Sequence, residues 1–125
     1  MQTEGKTVLL IEDTPIAQKV AQLNFEEYGC VLTICDSAKK ALLALEKQHF
    51  DLIVVDVGLS DMDGYTLTKK LRQLETAQDA RFKIIGLSAH IDKQHMQRCH
   101  DAGMDIVYIK PLTPAVTREI IESIN

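Results

Sequence analysis

The stretch LIVVDVGLSDMDG, residues 52–64, passes from an apolar run directly into three aspartates. Such a run of Leu, Ile and Val is typical of a strand that is buried on both faces of a sheet. Asp61 and Asp63 are explained as loop and helix-cap residues, because aspartate is common at both positions. Asp56 stands at the very tip of the buried strand. Taken alone it would also be explained as a turn residue, so a functional role for Asp56 depends on which residues follow the other strands.

Strands and helices alternate along the whole chain. Apolar runs predict the strands, and apolar residues at helical spacing predict the helices between them. The predicted strands are Thr7–Ile11, Val31–Ile34, Leu52–Val55, Lys83–Leu87 and Ile106–Ile109, and the predicted helices include Pro15–Tyr28, Ala38–Lys47 and Asp92–Asp101. Thr14 and Ser37 are the expected caps of the first two helices. The segment Glu75–Arg81 is the expected mobile connection.

This alternation predicts an α/β fold. Parallel strands need crossovers of about a dozen residues, which are usually helical, so the sheet is expected to be parallel with helices on both faces. A length of 125 residues fits one domain, residues 1–125. We expect a doubly wound, flavodoxin-like sheet of five strands in the order 2-1-3-4-5.

Composition excludes several classes of function. The net charge is −4 and the basic residues are scattered, which argues against binding to nucleic acid or to anionic membranes. No apolar stretch reaches the roughly 18 to 20 residues that cross a bilayer, so a cytoplasmic location is predicted. Cys30, Cys35 and Cys99 form no CxxC pair and are expected to be reduced. His95 and Cys99 have a spacing that suits zinc, but a solvated helix face is favoured because further ligands are not evident.

Polar residues follow four of the predicted strands. They are Glu12 and Asp13 after the first, Asp56 after the third, Ser88 after the fourth and Lys110 after the fifth. The carboxyl ends of neighbouring parallel strands meet at one edge, where ligands bind. Three acids at one edge repel each other unless a cation is present, and their hard oxygen ligands suit Mg²⁺. With the metal present, Asp56 could attack phosphorus, while Lys110 and Ser88 would stabilise the phosphoryl oxygens.

The motifs LLIEDTP, IVVDVGLSDMDG, IIGLSA and YIKP occur in this order at suitable distances. Over nearly all its length the chain resembles a receiver domain of two-component signalling, and it is most similar to receivers of hybrid sensor histidine kinases. The resemblance implies Mg²⁺ as the cofactor and a histidine kinase or histidine phosphotransfer domain as the partner. It also implies a cis Lys110–Pro111 bond. It implies these roles: Glu12 and Asp13 as the acidic pair for Mg²⁺, Asp56 as the phosphoacceptor, Gly58 as a carbonyl ligand of the metal, Ser88 as the hydroxyl switch residue and Lys110 as the phosphate-pairing lysine.

Two positions depart from the pattern of this family. Ser60 stands where the family usually has proline, which predicts a more mobile loop because a fixed φ is lost. Val107 stands where the family usually has a switch aromatic. Tyr108 is next to it, but adjacent strand residues point to opposite faces, so Tyr108 is not expected to substitute. We therefore expect phosphorylation to change the surface of the fourth helix and fifth strand only modestly.

Gly58 and His90 each lie two residues after a candidate site residue, Asp56 and Ser88 respectively. Both would flank the path of a hydrolytic water. We expect them to tune the lifetime of the phosphoryl group without changing metal affinity.

Three classes of function remain open at this point. The first is a phosphoacceptor module, which is not an enzyme beyond slow self-dephosphorylation, either as an excised part of a hybrid kinase or as a stand-alone regulator. The second is a phosphohydrolase of the haloacid dehalogenase type, but that chemistry requires a second aspartate where this chain has Gly58. The third is an interaction module that works without phosphorylation.

Overall fold

The structure, a computed structural model, describes residues 5–124 and consists of five successive β-α units. The elements are β1 (Thr7–Ile11), α1 (Pro15–Glu27), β2 (Val31–Cys35), α2 (Ala38–Lys47), β3 (Leu52–Asp56), α3 (Gly64–Ala77), β4 (Ile84–Ser88), α4 (Lys93–Ala102), β5 (Ile106–Ile109) and α5 (Pro114–Glu122). The strands form one parallel sheet in the order β2-β1-β3-β4-β5. The predicted fold class and strand order are confirmed.

The sheet separates two apolar cores, because successive side chains of a strand point to opposite faces. In β3, Ile53 and Val55 pack into the core covered by α2, α3 and α4. Leu52 and Val54 pack into the other core, which is covered by α1 and α5. All five residues of β3 are buried, as expected for a central strand of a parallel sheet.

Strand register brings the polar strand ends together. Ile11 pairs with Val55, so Glu12 and Asp56 follow at the same level of the sheet. Asp56 in turn pairs with Leu87, which precedes Ser88. Because all strands run in the same direction, these residues lie along one edge, as the sequence predicted.

The helix boundaries agree with the predictions to within a residue or two, apart from one cap and one connection. Ser37 caps α2 by accepting a hydrogen bond from Lys40 N. Thr14 precedes α1 but its side chain makes no capping hydrogen bond, so that prediction was wrong. Its hydroxyl lies instead 3.5 Å from Oδ1 of Asp13, the neighbouring acid.

The predicted connection Glu75–Arg81 begins too early. α3 continues to Ala77, and Oε2 of Glu75 accepts hydrogen bonds from Arg72 Nη1 at 2.8 Å and from Phe82 N at 2.6 Å. Glu75 therefore connects α3 to Phe82, which precedes β4. The sequence signal was misleading because a polar last turn of a helix has the same composition as a loop.

All three cysteines are buried. None of the helices within residues 5–124 is both long and apolar enough to cross a membrane.

Candidate functional site

An ion-paired cluster lies where β1, β3 and β5 end. Nζ of Lys110 is 2.8 Å from Oε1 of Glu12 and 3.0 Å from Oδ1 of Asp56. The two carboxylates are almost completely buried, whereas about a quarter of the lysine side chain is exposed. The bond between Lys110 and Pro111 is cis, as the resemblance implied. Residues 12, 56 and 110 are therefore close together despite their separation in sequence.

The electrostatics of the cluster are governed by burial and by this shared cation. Burial raises the pKa of Glu12, and the nearby carboxylate of Asp56 also raises it, while Lys110 and the amide of Thr14 oppose the shift. Burial alone would lower the pKa of Lys110, but its contacts with Glu12 and Asp56 raise it overall. The lysine is therefore held in its charged form by the two acids.

The donor set fits a hard divalent cation. Glu12, Asp13 and Asp56 each offer a carboxylate oxygen, and these atoms lie within 4.8 Å of one another. Oε1 of Glu12 is buried, with Nζ of Lys110 at 2.8 Å. Within residues 5–124, no other group of His, Cys, Asp or Glu side chains is arranged to hold a metal. Clustered carboxylates offer hard oxygen ligands, which suit Mg²⁺.

Asp13 is held from the loop between β3 and α3. Its Oδ2 accepts a hydrogen bond from the backbone N–H of Ser60 at 2.9 Å and a short one from the Ser60 hydroxyl. The hydroxyl bond is the largest cause of a lowered pKa of Asp13. Ser60 was expected to loosen this loop by replacing proline, but its two hydrogen bonds tie the loop to Asp13. This contact was missed because a serine in a loop carries no sequence signal of its partner.

The other aspartates of the loop serve the helices. Asp63 caps α3 through a 2.8 Å hydrogen bond from Thr66 N, as predicted. Asp61 accepts hydrogen bonds from the backbone N–H groups of Ala38 at 3.1 Å and Lys39 at 3.3 Å. Asp61 therefore covers the N-terminus of α2, an interaction that the sequence did not reveal. The loop is therefore attached at three places: Ser60 bonds to Asp13 after β1, Asp61 to the start of α2, and Asp63 to the start of α3.

Ser88, at the end of β4, lines a cleft together with most of the predicted site residues. The cleft has a volume of about 570 Å³, and its lining includes Asp13, Asp56, Gly58, Ser88, His90 and Lys110. The Ser88 hydroxyl donates a 2.7 Å hydrogen bond to the carbonyl oxygen of His90. Gly58 donates its N–H to Oδ1 of Asp56 at 3.0 Å. Five of the six site residues predicted from the sequence thus border one cleft, and the sixth, Glu12, is buried beside it in the ion pair with Lys110. The role of the Gly58 carbonyl stays a prediction.

Side chains of α3 and α4 extend the cleft away from Asp56. The hydroxyl of Tyr65 makes a short hydrogen bond with Nδ1 of His95, and the His90 ring stacks on the His95 ring at 5.5 Å between centroids. His95 and Cys99 do not form the solvated helix face that was expected, because Cys99 is completely buried against α3. Their spacing serves packing between the two helices.

The two neighbouring residues of β5 face opposite sides, as alternation predicted. Val107 packs into the core under α3 and α4. Tyr108 lies against the other core, and its hydroxyl donates a 3.0 Å hydrogen bond to Oε1 of Glu119. Tyr108 therefore does not occupy the position that a switch aromatic would take.

The chain is similar to known proteins over nearly its whole length. The family model of the response regulator receiver domain matches residues 8–122. The sensor histidine kinase RcsC of Escherichia coli K12 is 31% identical over 114 residues, which cover 91% of this chain but 12% of that kinase. Histidine kinase 1 of Arabidopsis thaliana is 28% identical, and the match covers 87% of this chain and 12% of that protein. The chain thus spans about an eighth of the length of these relatives.

Solved structures show the same fold. The receiver domain of the sensor histidine kinase PA1611 from Pseudomonas aeruginosa, which has a magnesium ion coordinated in its active-site cleft, is 30% identical, with a TM-score of 0.84 and coverage of 95% of this chain and 96% of that one. The chemotaxis response regulator CheY4 of Vibrio cholerae has a TM-score of 0.86 at 19% identity, with coverage of 97% and 99%.

Proposed function

The chain belongs to the response regulator receiver domain family and has a phosphoacceptor role in two-component signalling, and we propose that Asp56 is the residue that accepts the phosphoryl group. The observation that carries this proposal is the position of its carboxylate, which is fixed at the end of a central strand and lines the cleft. Oδ1 is engaged by Lys110 and by the Gly58 N–H. We therefore assign Oδ2 as the oxygen that attacks phosphorus.

The reaction is a transfer from a phosphohistidine. A bond forms between Oδ2 of Asp56 and phosphorus as the P–N bond breaks, and the electron pair of that bond returns to the imidazole nitrogen, which takes up a proton. The ammonium of Lys110 compensates the charge on the phosphoryl oxygens. The hydroxyl of Ser88 turns from the His90 carbonyl to donate to one of them. These groups supply positioning and charge compensation, which are the main requirements of phosphoryl transfer.

Mg²⁺ is the cofactor that we propose for this site. Glu12, Asp13 and Asp56 would hold it, with the Gly58 carbonyl as a further ligand by resemblance to the family. When bound, Mg²⁺ neutralises negative charge on the phosphoryl group and on the acids. The magnesium ion in the cleft of the PA1611 receiver supports this choice.

We further propose that the chain is the receiver of a hybrid sensor histidine kinase. The relatives named above are histidine kinases, of which the matched region is a small part. Such a receiver takes its phosphoryl group in the cytoplasm from the kinase histidine and passes it to a histidine phosphotransfer domain, or slowly hydrolyses it. In this arrangement residues 1–125 act as one receiver domain and need no enzymatic activity of their own.

Incubation with acetyl phosphate and Mg²⁺ tests the function. We expect intact mass spectrometry to show the addition of one phosphoryl group per chain, lost again over time and absent when EDTA replaces Mg²⁺. Steady turnover of phosphate esters without an adduct would indicate a phosphohydrolase instead. The absence of both adduct and turnover would indicate an interaction module that does not use phosphorylation.

The partner is proposed to dock on a surface of α1 beside the cleft. This α1 surface consists of Ile16, Val20 and Leu23, of which Ile16 is 78% and Leu23 60% exposed. Ile16 and Val20 also line an apolar groove that reaches Lys110 and Pro111. A helical partner that carries a phosphohistidine can bury these residues while its imidazole reaches Asp56.

Replacing Ile16 by aspartate should slow phosphotransfer from a protein donor. We expect the rate from a phosphorylated histidine phosphotransfer domain that labels the wild-type chain to fall about tenfold or more, since an apolar contact near the centre of an interface is lost and a charge is buried. Labelling by acetyl phosphate should be unchanged. Leu43→Asp is the matched control, because Leu43 is 48% exposed on α2, which packs on the other face of the sheet. Equal slowing by both variants would rule out docking at this surface.

A further inference from the structure

We propose that Ser60 is a positioning residue of the metal site, which orders the carboxylate of Asp13 before the cation binds. This inference rests on the proposed Mg²⁺ site. Ser60 lies on the loop between β3 and α3, and Asp13 follows β1, 47 residues earlier in the chain. No sequence motif links them, and the contact exists only because the fold brings the two loops together.

The geometry concentrates two donors on one atom. The backbone N–H and the hydroxyl of Ser60 both donate to Oδ2 of Asp13. The other oxygen, Oδ1, lies 3.5 Å from the Thr14 hydroxyl, which is at the outer limit for a hydrogen bond. One carboxylate oxygen is thus fixed by the protein, and the other is left with a weak contact that a cation can replace.

Asp13 needs this help more than its two neighbours do. Glu12 and Asp56 are buried and share the ammonium of Lys110, which fixes them in place. Asp13 is half-buried and has no ion pair with a lysine or arginine within the described part of the chain. The two hydrogen bonds from Ser60 restrict the rotation of its carboxylate.

The departure at position 60 therefore carries a function. Proline, which the family usually has here, offers neither an N–H nor a hydroxyl to Asp13. Serine supplies both. Hydrogen bonds to a ligating carboxylate orient it, and their loss usually weakens metal binding by about tenfold or more.

Magnesium titration of the unphosphorylated protein tests this role. Isothermal titration calorimetry with MgCl₂ alone should give a dissociation constant about tenfold higher for Ser60→Ala than for the wild type. Ser60→Thr, which keeps both donors, should stay within about twofold, and Ser60→Pro, which removes both, should bind at least as weakly as Ser60→Ala. Rescue by threonine would separate a hydrogen-bonding role from a role in loop packing.

Asp61→Ala is the matched control. Asp61 fastens the same loop to α2 without touching Asp13, so its loss loosens the loop and should leave the dissociation constant within about twofold of the wild type. Equal affinity of Ser60→Ala and the wild type would overturn the proposal while leaving the Mg²⁺ site intact, as would equal weakening by Ser60→Ala and Asp61→Ala. A wild-type protein that binds no Mg²⁺ would overturn both the site and the role of Ser60. Circular dichroism confirms that each variant is folded.

Discussion

Asp56→Asn should abolish phosphoryl incorporation from acetyl phosphate and from a phosphohistidine donor. The amide is nearly the same size as the carboxylate and its oxygen can still accept hydrogen bonds from Lys110 and Gly58, so the cleft should remain in place. The amide has no anionic oxygen to attack phosphorus, and the covalent step fails. Intact mass spectrometry after incubation with donor and Mg²⁺ is the measurement, and the expected change is complete loss of the adduct.

The control for this variant lies in the same loop. Asp63→Asn preserves the cap of α3, because asparagine is as good an N-cap as aspartate, and it should be labelled at the wild-type rate. Labelling of Asp56→Asn to the wild-type extent would mean that another residue is the acceptor. Loss of labelling in both variants would point to disruption of the loop.

Gly64→Ala should strongly destabilise the domain. A Cβ built on Gly64 would lie 2.6 Å from the Cα of Val57 and 3.2 Å from the carbonyl oxygen of Asp56. Both obstacles are backbone atoms of a segment held by the central strand, so they cannot move aside cheaply. We expect the free energy of unfolding to fall by about 2 to 3 kcal/mol, the upper part of the usual range for overpacking. Urea denaturation followed by circular dichroism measures the change.

Gly58→Ala provides the comparison within the same loop. Its added Cβ would meet Oδ1 of Asp56 at 3.8 Å, which is an ordinary contact, so the free energy of unfolding should change by less than about 1 kcal/mol. The effect of this variant is expected instead in the lifetime of the phosphoryl group. Equal stability of the two variants would show that the close approach at Gly64 is relieved by a small shift of the helix.

The site residues at strand ends could be predicted from the sequence for a physical reason. Parallel strands place their carboxyl ends at one edge, so a polar residue directly after each apolar run must lie near the others. Asp56 and Lys110 are 3.0 Å apart in the structure because of this rule, although 54 positions separate them in sequence. The opposite orientations of Val107 and Tyr108 followed in the same way from the two-residue period of a strand.

Hydrogen bonds between loops could not be predicted, because loops have no periodicity that relates one side chain to another. Ser60 and Asp13 illustrate this, as does Asp61, whose partners at the start of α2 lie 22 and 23 residues away. Thr14 shows the opposite error, in which a predicted hydrogen bond did not form. Threonine is a good N-cap residue, but the Thr14 hydroxyl lies near the carboxylate of Asp13 and does not cap α1. In each case the choice between partners was made by the folded arrangement of the loops.

The position of Tyr108 has a consequence for how information leaves this domain. Glu119 holds the Tyr108 ring on one face of the sheet, and the residue on the other face is Val107. β5 therefore has no aromatic group that could rotate between solvent and the space under α4. We expect the signal to be passed on mainly by transfer of the phosphoryl group itself, which takes place at the cleft. A domain that relays phosphate in this way depends on an acceptor residue that a partner can reach through the cleft. It depends less on a surface that changes conformation on phosphorylation.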